Sequence, residues 1–401
     1  MKLIIKNFRS VKEQELELAP ITVVYGPNGA GKSSLLYSLL TLKNVVMNPN
    51  QNPSGFFNYT FASLGSFDAV VFDHQVRNEM ELGIEEERDG ISIAYEVTLD
   101  EKSGNFKLHS GALTGMPEFK VKLELPVTFP YPANQQIQQS IAAKDGTIVI
   151  TWNGITAQVQ SNVQDPEAKE GADALATLLN FPVESLRRAG IVPLKRGFSK
   201  PHYSPIPVSP IMITEDEVAT ILSNDKYLVS KVSFYLEKIL ERDFRVNFQP
   251  GTAIFSLDST DKKTGVASEL VNEGFGVNQV VYFLAKCLHR DMELLCIEEP
   301  EIHLHPSGVR GLAKALVQMT HEEGKRFLVS THNESFLTTL LTLVGGGQLK
   351  RSELACYFAK KEKKVTKFDR QIVNEKGQIE GGLSSFMEGE LEDLKNFLKV
   401  A

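Results

Sequence analysis

The chain has 401 residues, a formal net charge of −7 and 42% hydrophobic residues. This length exceeds one average domain, and the negative charge argues against a nucleic-acid binder unless the basic residues form a local patch. Three cysteines without paired spacing argue against a disulfide framework or a zinc knuckle: Cys287, Cys296 and Cys356. No apolar run reaches membrane-spanning length and the start is too polar for a signal peptide, so we expect a cytoplasmic protein without a membrane partner.

The first 160 residues are predicted to be mainly β-structure. KLIIKNF and QELELAPITVVYG have the composition of strands, and leucines at helical spacing predict a helix that begins near Lys32. Residues 47–60 have the composition of a loop. Four further segments separated by turn residues predict an antiparallel sheet between about 68 and 160: FDAVVF, GISIAYEVTL, FKVKLEL and GTIVITWNGITAQVQ.

From residue 166 the pattern changes to helices that alternate with strands. Helices are predicted over 166–190 and 215–242, and the proline-rich stretch 191–211 between them is predicted to be irregular. FRVNF and TAIFSLD predict a hairpin. The remaining predicted elements are a helix at about 279–289, the strand ELLCI, a helix at about 307–322, the strand RFLVS, a helix from about Ser335 and an amphipathic helix in the tail SSFMEGELEDLKNFLKV.

The segment GPNGAGKSS satisfies the phosphate-loop pattern G-x-x-x-x-G-K-[ST]. Glycines let backbone N–H groups turn inward around phosphates, Lys32 reaches the terminal phosphate oxygens, and the Ser33 hydroxyl is suited to ligate Mg²⁺. An apolar strand enters the loop and an apolar-striped helix leaves it, which favours this interpretation over a glycine-rich turn that only caps a helix. The predicted phosphate-binding residues are Gly26, Pro27, Asn28, Gly29, Ala30, Gly31, Lys32, Ser33 and Ser34.

The segment LLCIEEPEIHLHP allows two interpretations. A buried strand that ends in carboxylates is where an α/β ATPase holds Mg²⁺ and activates water, with Glu298 as the metal-side acid and Glu299 as the general base. The alternative is a transition-metal site formed by Glu301, His303 and His305, but no further His or Cys lies nearby to complete the ligand shell. For the two histidines alone, contacts at the start of the next helix are the simpler prediction.

Four further segments contain candidate site residues. FLVSTHNESFL ends a predicted strand at His332, which beside a phosphate loop and an acidic strand end is a candidate γ-phosphate sensor. VNEGFGVNQVV places Gly274 and Gly276 before a helix, a weak signal alone. Gln75 in FDHQVRNE is either a metal-side Q-loop residue or an ordinary loop residue. Arg196 in PLKRGF could reach phosphates or a partner, but a solvated basic turn is the favoured interpretation.

In this order the motifs resemble those of the ABC-type ATPase head of the SMC, RecF and OLD-like group. The closest pattern is that of stand-alone ATPases with GFGxxQ, EEPExHLHP and STHxxxFL, and the resemblance covers about 1–45 and 268–345. It implies an α/β P-loop NTPase with a mixed central sheet, an antiparallel β subdomain and an inserted helical lobe. We expect a split core at 1–114 and 246–401, with the inserted lobe at 115–245.

The resemblance also implies roles for the site residues. Glu298 and Glu299 correspond to the Walker B pair and His332 to the switch histidine, so that Lys32, Glu299 and His332 carry the chemistry. NEGFGVNQ replaces the signature motif, and its Gly274, Gly276 and Gln279 would contact ATP held by the partner subunit. The pattern departs from the family in two places: most ABC-type proteins have Asp at the position of Glu298, and the signature lacks its usual Ser.

The expected function is therefore an ATPase switch. ATP and Mg²⁺ would close a head-to-tail homodimer, slow hydrolysis would reopen it, and the motion would act on a partner in DNA maintenance or anti-phage defence. One alternative is an ATPase subunit that regulates a separate nuclease partner. Another is an ATP-binding DNA or scaffold module with little hydrolysis, with PLKRGFSK and KRSELACYFAKKEKK as candidate DNA-binding patches. No heptad run predicts a long coiled coil.

Overall fold

The computed structural model describes residues 1–111, 120–143, 145–164, 166–209 and 214–382. The chain forms two compact units. The first comprises Met1–Leu18, Tyr37–Ala189 and Lys361–Lys367, and the second comprises Ala19–Leu36, Gly190–Lys360 and the residues from Phe368. The predicted split core and inserted lobe at 115–245 have different boundaries from these two units. That division stays a prediction.

Strands form most of the first unit and the central sheet of the second. In chain order they are β1 (Lys2–Phe8), β2 (Val11–Glu17), β3 (Ile21–Tyr25), β4 (Met80–Arg88), β5 (Ile91–Leu99), β6 (Ser103–Ser110), β7 (Lys122–Thr128), β8 (Ile137–Ala143), β9 (Gly146–Trp152), β10 (Ala157–Ser161), β11 (Ala189–Val192), β12 (Arg242–Phe248), β13 (Phe255–Asp261), β14 (Ala267–Glu269), β15 (Leu294–Glu298), β16 (Arg326–Thr331), β17 (Leu354–Glu362) and β18 (Val365–Gln371).

The helices are concentrated in the second half of the chain. They are α1 (Lys32–Met47), α2 (Phe67–Val70), α3 (Pro166–Arg187), α4 (Glu215–Asn224), α5 (Lys226–Leu240), α6 (Phe275–Leu288), α7 (Pro306–Glu323) and α8 (Glu334–Gly345). The helices predicted after the phosphate loop, over 166–190 and around the last strands are confirmed. The tail predicted as a final amphipathic helix lies outside the described residues.

Antiparallel sheets characterise the first unit. Strands β2-β1-β4-β5-β6-β7 form one sheet, and β10-β9-β8 form another. Their side chains alternate between buried and accessible positions, as in β7, because one face of each strand packs on a core and the other does not. The predicted antiparallel sheet is thereby confirmed, with one exception that concerns the segment FDAVVF.

The segment FDAVVF is not a strand. It forms the short helix α2 and the start of a 3₁₀ turn at Phe72–His74. Phe67 and Val70, three residues apart, are both buried, so the apolar residues satisfy a helical spacing within the first unit. A short apolar run is compatible with either element, and here the tertiary contacts select the helix.

A largely parallel sheet organises the second unit. Its order is β11-β15-β16-β3-β17-β18, and β15, β16, β3 and β17 run parallel to one another. All five residues of β3 and all five of β15 are buried, which is typical of strands covered on both faces of a sheet. Because the carboxyl ends of parallel strands meet at one edge, the residues that follow β3, β15 and β16 come together there.

The helix predicted over 215–242 is two helices. Asp225 ends α4 and caps α5, where its carboxylate accepts a hydrogen bond of 2.9 Å from the N–H of Leu228. An N-cap residue has an extended backbone, and Asp225 adopts one. The series of helical hydrogen bonds is therefore interrupted at this residue. The predicted hairpin is confirmed as β12 and β13, which pair in antiparallel register.

Candidate nucleotide site

The phosphate loop joins β3 to α1 in the second unit. Gly26 has a φ of 146°, and a Cβ added there would lie 2.4 Å from the carbonyl oxygen of Ala359. Gly29 and Gly31 also have positive φ, of 76° and 95°. These conformations are unfavourable for residues with a Cβ, so the loop requires its glycines for the tight turn that leads into the N-terminus of α1.

Lys32 lies inside this loop. Its side chain is buried, and the ammonium donates hydrogen bonds to the carbonyl oxygens of Gly26 at 2.9 Å and Pro27 at 3.1 Å. Burial lowers the pKa of Lys32, while the charges of Glu299 and Glu301 act in the opposite direction. The loop therefore holds a positive side chain at the N-terminus of a helix, an arrangement suited to binding phosphate.

The acidic end of β15 brings two adjacent carboxylates to the same edge of the parallel sheet. Glu298 is buried as the last residue of the strand, and Glu299 follows with a left-handed φ of 41°. The N–H of Glu299 donates to the carbonyl oxygen of Ser330 at 2.9 Å, which ties it to the neighbouring strand β16. The left-handed residue turns the chain sharply, so that successive carboxylates leave the strand in different directions.

His332 follows β16 and completes a cluster with two glutamates. Its Nδ1 lies 3.2 Å from Oε1 of Glu299 and 3.9 Å from Oε1 of Glu301. Glu301 is buried, and its Oε1 accepts hydrogen bonds from the Thr331 hydroxyl at 2.5 Å and from the N–H of His332 at 3.4 Å. Burial raises the pKa of Glu301. Glu301 thus binds the backbone N–H of His332, and Glu299 contacts the imidazole ring.

Arg196 belongs to the site, and its interpretation as a solvated basic turn is wrong. The side chain is partly buried, and its guanidinium donates to the carbonyl oxygens of Glu298 at 2.8 Å and Glu299 at 2.9 Å. Burial lowers its pKa to about 10, so it remains charged at neutral pH. Glu298 and Glu299 lie 102 and 103 residues from Arg196 in sequence, so local sequence patterns do not reveal these hydrogen bonds. The sequence shows a glycine next to it, Gly197, and the structure gives that glycine a φ of 122°.

The glycine-rich segment begins α6 as predicted, with Gly274 as the N-cap. A Cβ added at Gly276 would lie 2.8 Å from the carbonyl oxygen of His303, so this helix end packs closely on the turn after β15. Phe275 is 72% exposed, and its ring centroid lies 5.5 Å from that of His303. Gln279 is buried. The roles of Gly274, Gly276 and Gln279 toward a partner's nucleotide stay predictions.

The alternative of a transition-metal site finds no support among the described residues, where no group of three or more His, Cys, Asp and Glu side chains is placed to hold a metal ion. His305 instead caps α7, with its Nδ1 3.3 Å from the N–H of Ser307 and 2.9 Å from the Ser307 hydroxyl. The His303 ring packs on Phe275. Both histidines therefore have structural contacts.

Gln75 belongs to the first unit, whereas the other predicted site residues lie in the second. It follows the 3₁₀ turn after α2, and its amide donates to the carbonyl oxygen of Asp73 at 3.4 Å. Its predicted role beside the metal stays a prediction. None of the described helices has both the length and the apolar character that crossing a membrane requires.

Two family models match the sequence. One, described as an AAA domain, matches residues 2–174, and the other, described as an AAA domain, putative AbiEii toxin of a type IV toxin–antitoxin system, matches residues 220–338. Both matches are to AAA domains, and together with the motif order and the parallel sheet they support the expected class, an AAA-type ATPase domain with an α/β P-loop NTPase fold. No curated protein matches the sequence.

The fold is also similar to solved SMC heads. The SMC head domain from Thermotoga maritima is 11% identical, with a TM-score of 0.42 over 92% of this chain and 97% of that one. An SmcHead bound to the C-winged helix domain of ScpA is 10% identical, with a TM-score of 0.47 over 93% and 98%. An Smc head with an extended coiled coil, bound to the C-terminal domain of ScpA derived from Pyrococcus furiosus, is 9% identical, with a TM-score of 0.44 over 99% and 98%.

Proposed function

We propose that the chain is an ATP-binding and ATP-hydrolysing switch that dimerises head to tail around ATP and Mg²⁺. The observation that carries the proposal is the pairing of Glu299 with His332, 3.2 Å apart, at the sheet edge that also bears the phosphate loop. A carboxylate, an imidazole and a buried lysine beside a phosphate-binding helix N-terminus are the groups that hydrolysis of a phosphoanhydride needs.

The phosphate loop binds the nucleotide in this proposal. Backbone N–H groups of residues 29–33 and the ammonium of Lys32 contact the phosphates. The Ser33 hydroxyl and the Glu298 carboxylate would hold Mg²⁺, since both are hard oxygen donors and Mg²⁺ is usually held by one or two such groups together with phosphates and water. Held there, Mg²⁺ would supply positive charge beside the transferred phosphoryl group.

Glu299 is the proposed general base. Its carboxylate accepts the proton of the attacking water, and the His332 ring, half exposed, holds the carboxylate in place through the 3.2 Å contact. In its charged form the His332 ring carries a proton on each nitrogen, so it also senses the γ-phosphate: Nδ1 donates to Glu299 and Nε2 donates to the phosphate. Thr331 and Glu301 fix the backbone from which the imidazole projects.

The proposed dimer places α6 of one subunit on the nucleotide of the other. Two observations support it. The N-terminus of α6 carries Phe275, whose side chain is 72% exposed, a high value for a phenylalanine. Helix N-termini also favour negatively charged ligands. A partner that covers Phe275 and presents a phosphate to this helix end would satisfy both features.

The test compares ATP hydrolysis by the wild type with that by Glu299→Gln. Removal of the general base should reduce the rate on the order of 100-fold or more, and the variant should accumulate as an ATP- and Mg²⁺-dependent dimer. Light scattering after size-exclusion chromatography measures the dimer. The matched control is Asp291→Asn, an exposed acid just before β15, which should hydrolyse ATP like the wild type.

Two results would contradict the proposal. Hydrolysis by Glu299→Gln at the wild-type rate would remove Glu299 from the chemistry. A wild type that binds ATP without hydrolysing it or dimerising would instead favour an ATP-binding DNA or scaffold module.

We assign the process that the switch drives to DNA maintenance or anti-phage defence, the latter supported by the second family match, whose description names a putative toxin of a toxin–antitoxin system. An ATPase subunit that regulates a separate nuclease is the alternative. Co-purification of the tagged chain with a nuclease, retained in ATP and lost in ADP, would favour that alternative.

A further inference from the structure

Arg196, in the segment before α4, binds the backbone of the acidic strand end through its side chain. Its guanidinium donates three hydrogen bonds to main-chain carbonyl oxygens, at 3.1 Å to Pro193, 2.8 Å to Glu298 and 2.9 Å to Glu299. Because Glu299 has a left-handed φ that a residue with a Cβ rarely adopts, its orientation depends on such external contacts. The guanidinium holds its C=O, and Ser330 holds its N–H.

Two residues later the same segment is bonded to α6. The N–H of Phe198 donates to Oδ1 of Asn278 at 2.7 Å, and Nδ2 of Asn278 donates to the carbonyl oxygen of Phe198 at 2.8 Å. Nδ2 of Asn278 also donates to Leu270 at 2.9 Å, so this buried side chain has no spare donor. The Phe198 ring contacts the ring of Tyr282, one turn further along α6.

Gly197 makes the close spacing of these contacts possible. Its φ is 122°, and a Cβ added there would lie 2.8 Å from Oδ1 of Asn278. Only glycine fits this position without displacing the asparagine or the backbone. Residues 196–198 therefore connect the C-terminal end of β15 to the end of the first turn of α6 through a segment that has little room to adjust.

We propose that residues 196–198, here called the 196–198 link, are a positioning element that transmits movement of α6 to the backbone of Glu299. This inference rests on the proposed function, in which α6 contacts the partner's nucleotide and Glu299 activates water. When the dimer closes on ATP and α6 shifts, Asn278 moves Phe198, and Arg196 moves the two glutamate carbonyls. Hydrolysis in one subunit then depends on contact of its own α6 with the other subunit.

The first test replaces Arg196 by lysine, which keeps the charge but cannot bridge two carbonyls with a planar fork. Arg196→Lys should lower kcat for ATP about 100-fold, because the general base is displaced, while the Kd of a fluorescent ATP analogue changes less than about threefold. The matched control is Lys195→Ala, an exposed basic residue in the same turn, which should leave both constants unchanged. Hydrolysis by Arg196→Lys at the wild-type rate would overturn the inference.

The second test needs no hydrolysis and separates failure of the link from failure of the proposed function. Hydrogen exchange is measured on the full chain without nucleotide, for Asn278→Asp and Arg196→Lys. A substitution at one end of the link should raise the amide exchange rate at the other end. Asn278→Asp should raise exchange of the Glu299 amide, and Arg196→Lys should raise exchange in residues 277–282. If Asn278→Asp does not fold, Gly197→Ala breaks the middle of the link instead.

The outcomes are distinct. Exchange that changes only next to each substitution would refute the link even if the wild type is an active ATPase. A wild type without ATPase activity but with exchange transmitted between the two ends would refute the proposed function and retain the link.

Discussion

The two units of this chain bury polar groups in different ways. In the antiparallel sheet of the first unit, side chains alternate along each strand, and polar ones lie mostly on the accessible face. In the parallel sheet of the second unit β3 and β15 are buried along their whole length, and the charged groups of the site lie where β3, β15 and β16 end. A parallel sheet therefore collects Lys32, Glu298, Glu299 and His332 at one edge, which an antiparallel sheet of the same size would distribute between two edges.

The two units should therefore respond differently to substitution of their polar residues. Polar residues of the antiparallel sheet can be solvated on the exposed face, so their exact geometry is weakly constrained. The polar residues of the parallel edge depend on contacts with one another and with main-chain groups, such as the bonds from Arg196 to the two glutamate carbonyls. We expect substitutions at the parallel edge to affect both stability and activity, and those in the antiparallel sheet to affect stability alone.

The largest contrast is expected for two glycines with positive φ. Gly26→Ala combines backbone strain with a clash against the Ala359 carbonyl, and should lower the free energy of unfolding by about 4 kcal/mol and abolish ATP binding. Gly90→Ala, in the turn between β4 and β5, meets no atom within 4 Å and should cost only about 1 kcal/mol from strain. Urea denaturation and fluorescent-nucleotide binding measure the two effects. Equal costs would contradict the assigned clash.

A smaller contrast is expected between two buried leucines. Leu328 is fully buried in β16, between β15 and β3, and Leu328→Ala should cost about 3 kcal/mol because the packed neighbours on both sides cannot close the cavity. Leu123 lies in the edge strand β7, where Leu123→Ala should cost about 2 kcal/mol because the edge can relax. Midpoints of urea unfolding test this order, and a larger cost at Leu123 would contradict it.

The smallest effects concern two glutamates whose pKa is raised by burial, Glu301 at the parallel edge and Glu96 in β5. Each folded carboxyl keeps its proton to a higher pH than the unfolded one. The unfolded state then binds fewer protons, so the free energy of unfolding falls as pH rises from the usual glutamate pKa through the raised one. Gln cannot ionise, so Glu301→Gln and Glu96→Gln should each reduce this loss, and the melting temperature relative to wild type should rise more at pH 8 than at pH 4.

Activity separates the two variants. Glu301→Gln changes the support of His332 and should also reduce ATP hydrolysis, whereas Glu96→Gln should leave it unchanged. A melting temperature whose pH dependence is identical in wild type and Glu301→Gln would show that this carboxyl does not titrate differently on folding.

The sequence predicted some parts of the molecule well, for reasons that the structure makes clear. The phosphate loop has a local pattern, because its glycines and lysine act within nine residues. The hairpin β12–β13 and the last helices follow from apolar periodicity. FDAVVF was misassigned because six apolar-rich residues do not distinguish a strand from a short helix. The break at Asp225 was missed because the apolar spacing continues through it, although an aspartate before a helical run is a capping signal.

By itself the sequence determined the class of protein, the position of the phosphate loop and the residue types at the acidic strand end, because each depends on neighbours in the chain. Only the tertiary structure decided that His332 contacts Glu299 and that Arg196 holds the carbonyls of both glutamates. These contacts join segments far apart in sequence, and they exist because parallel strands end at one edge and because a buried guanidinium must find acceptors. Neither requirement leaves a periodic signal in the chain.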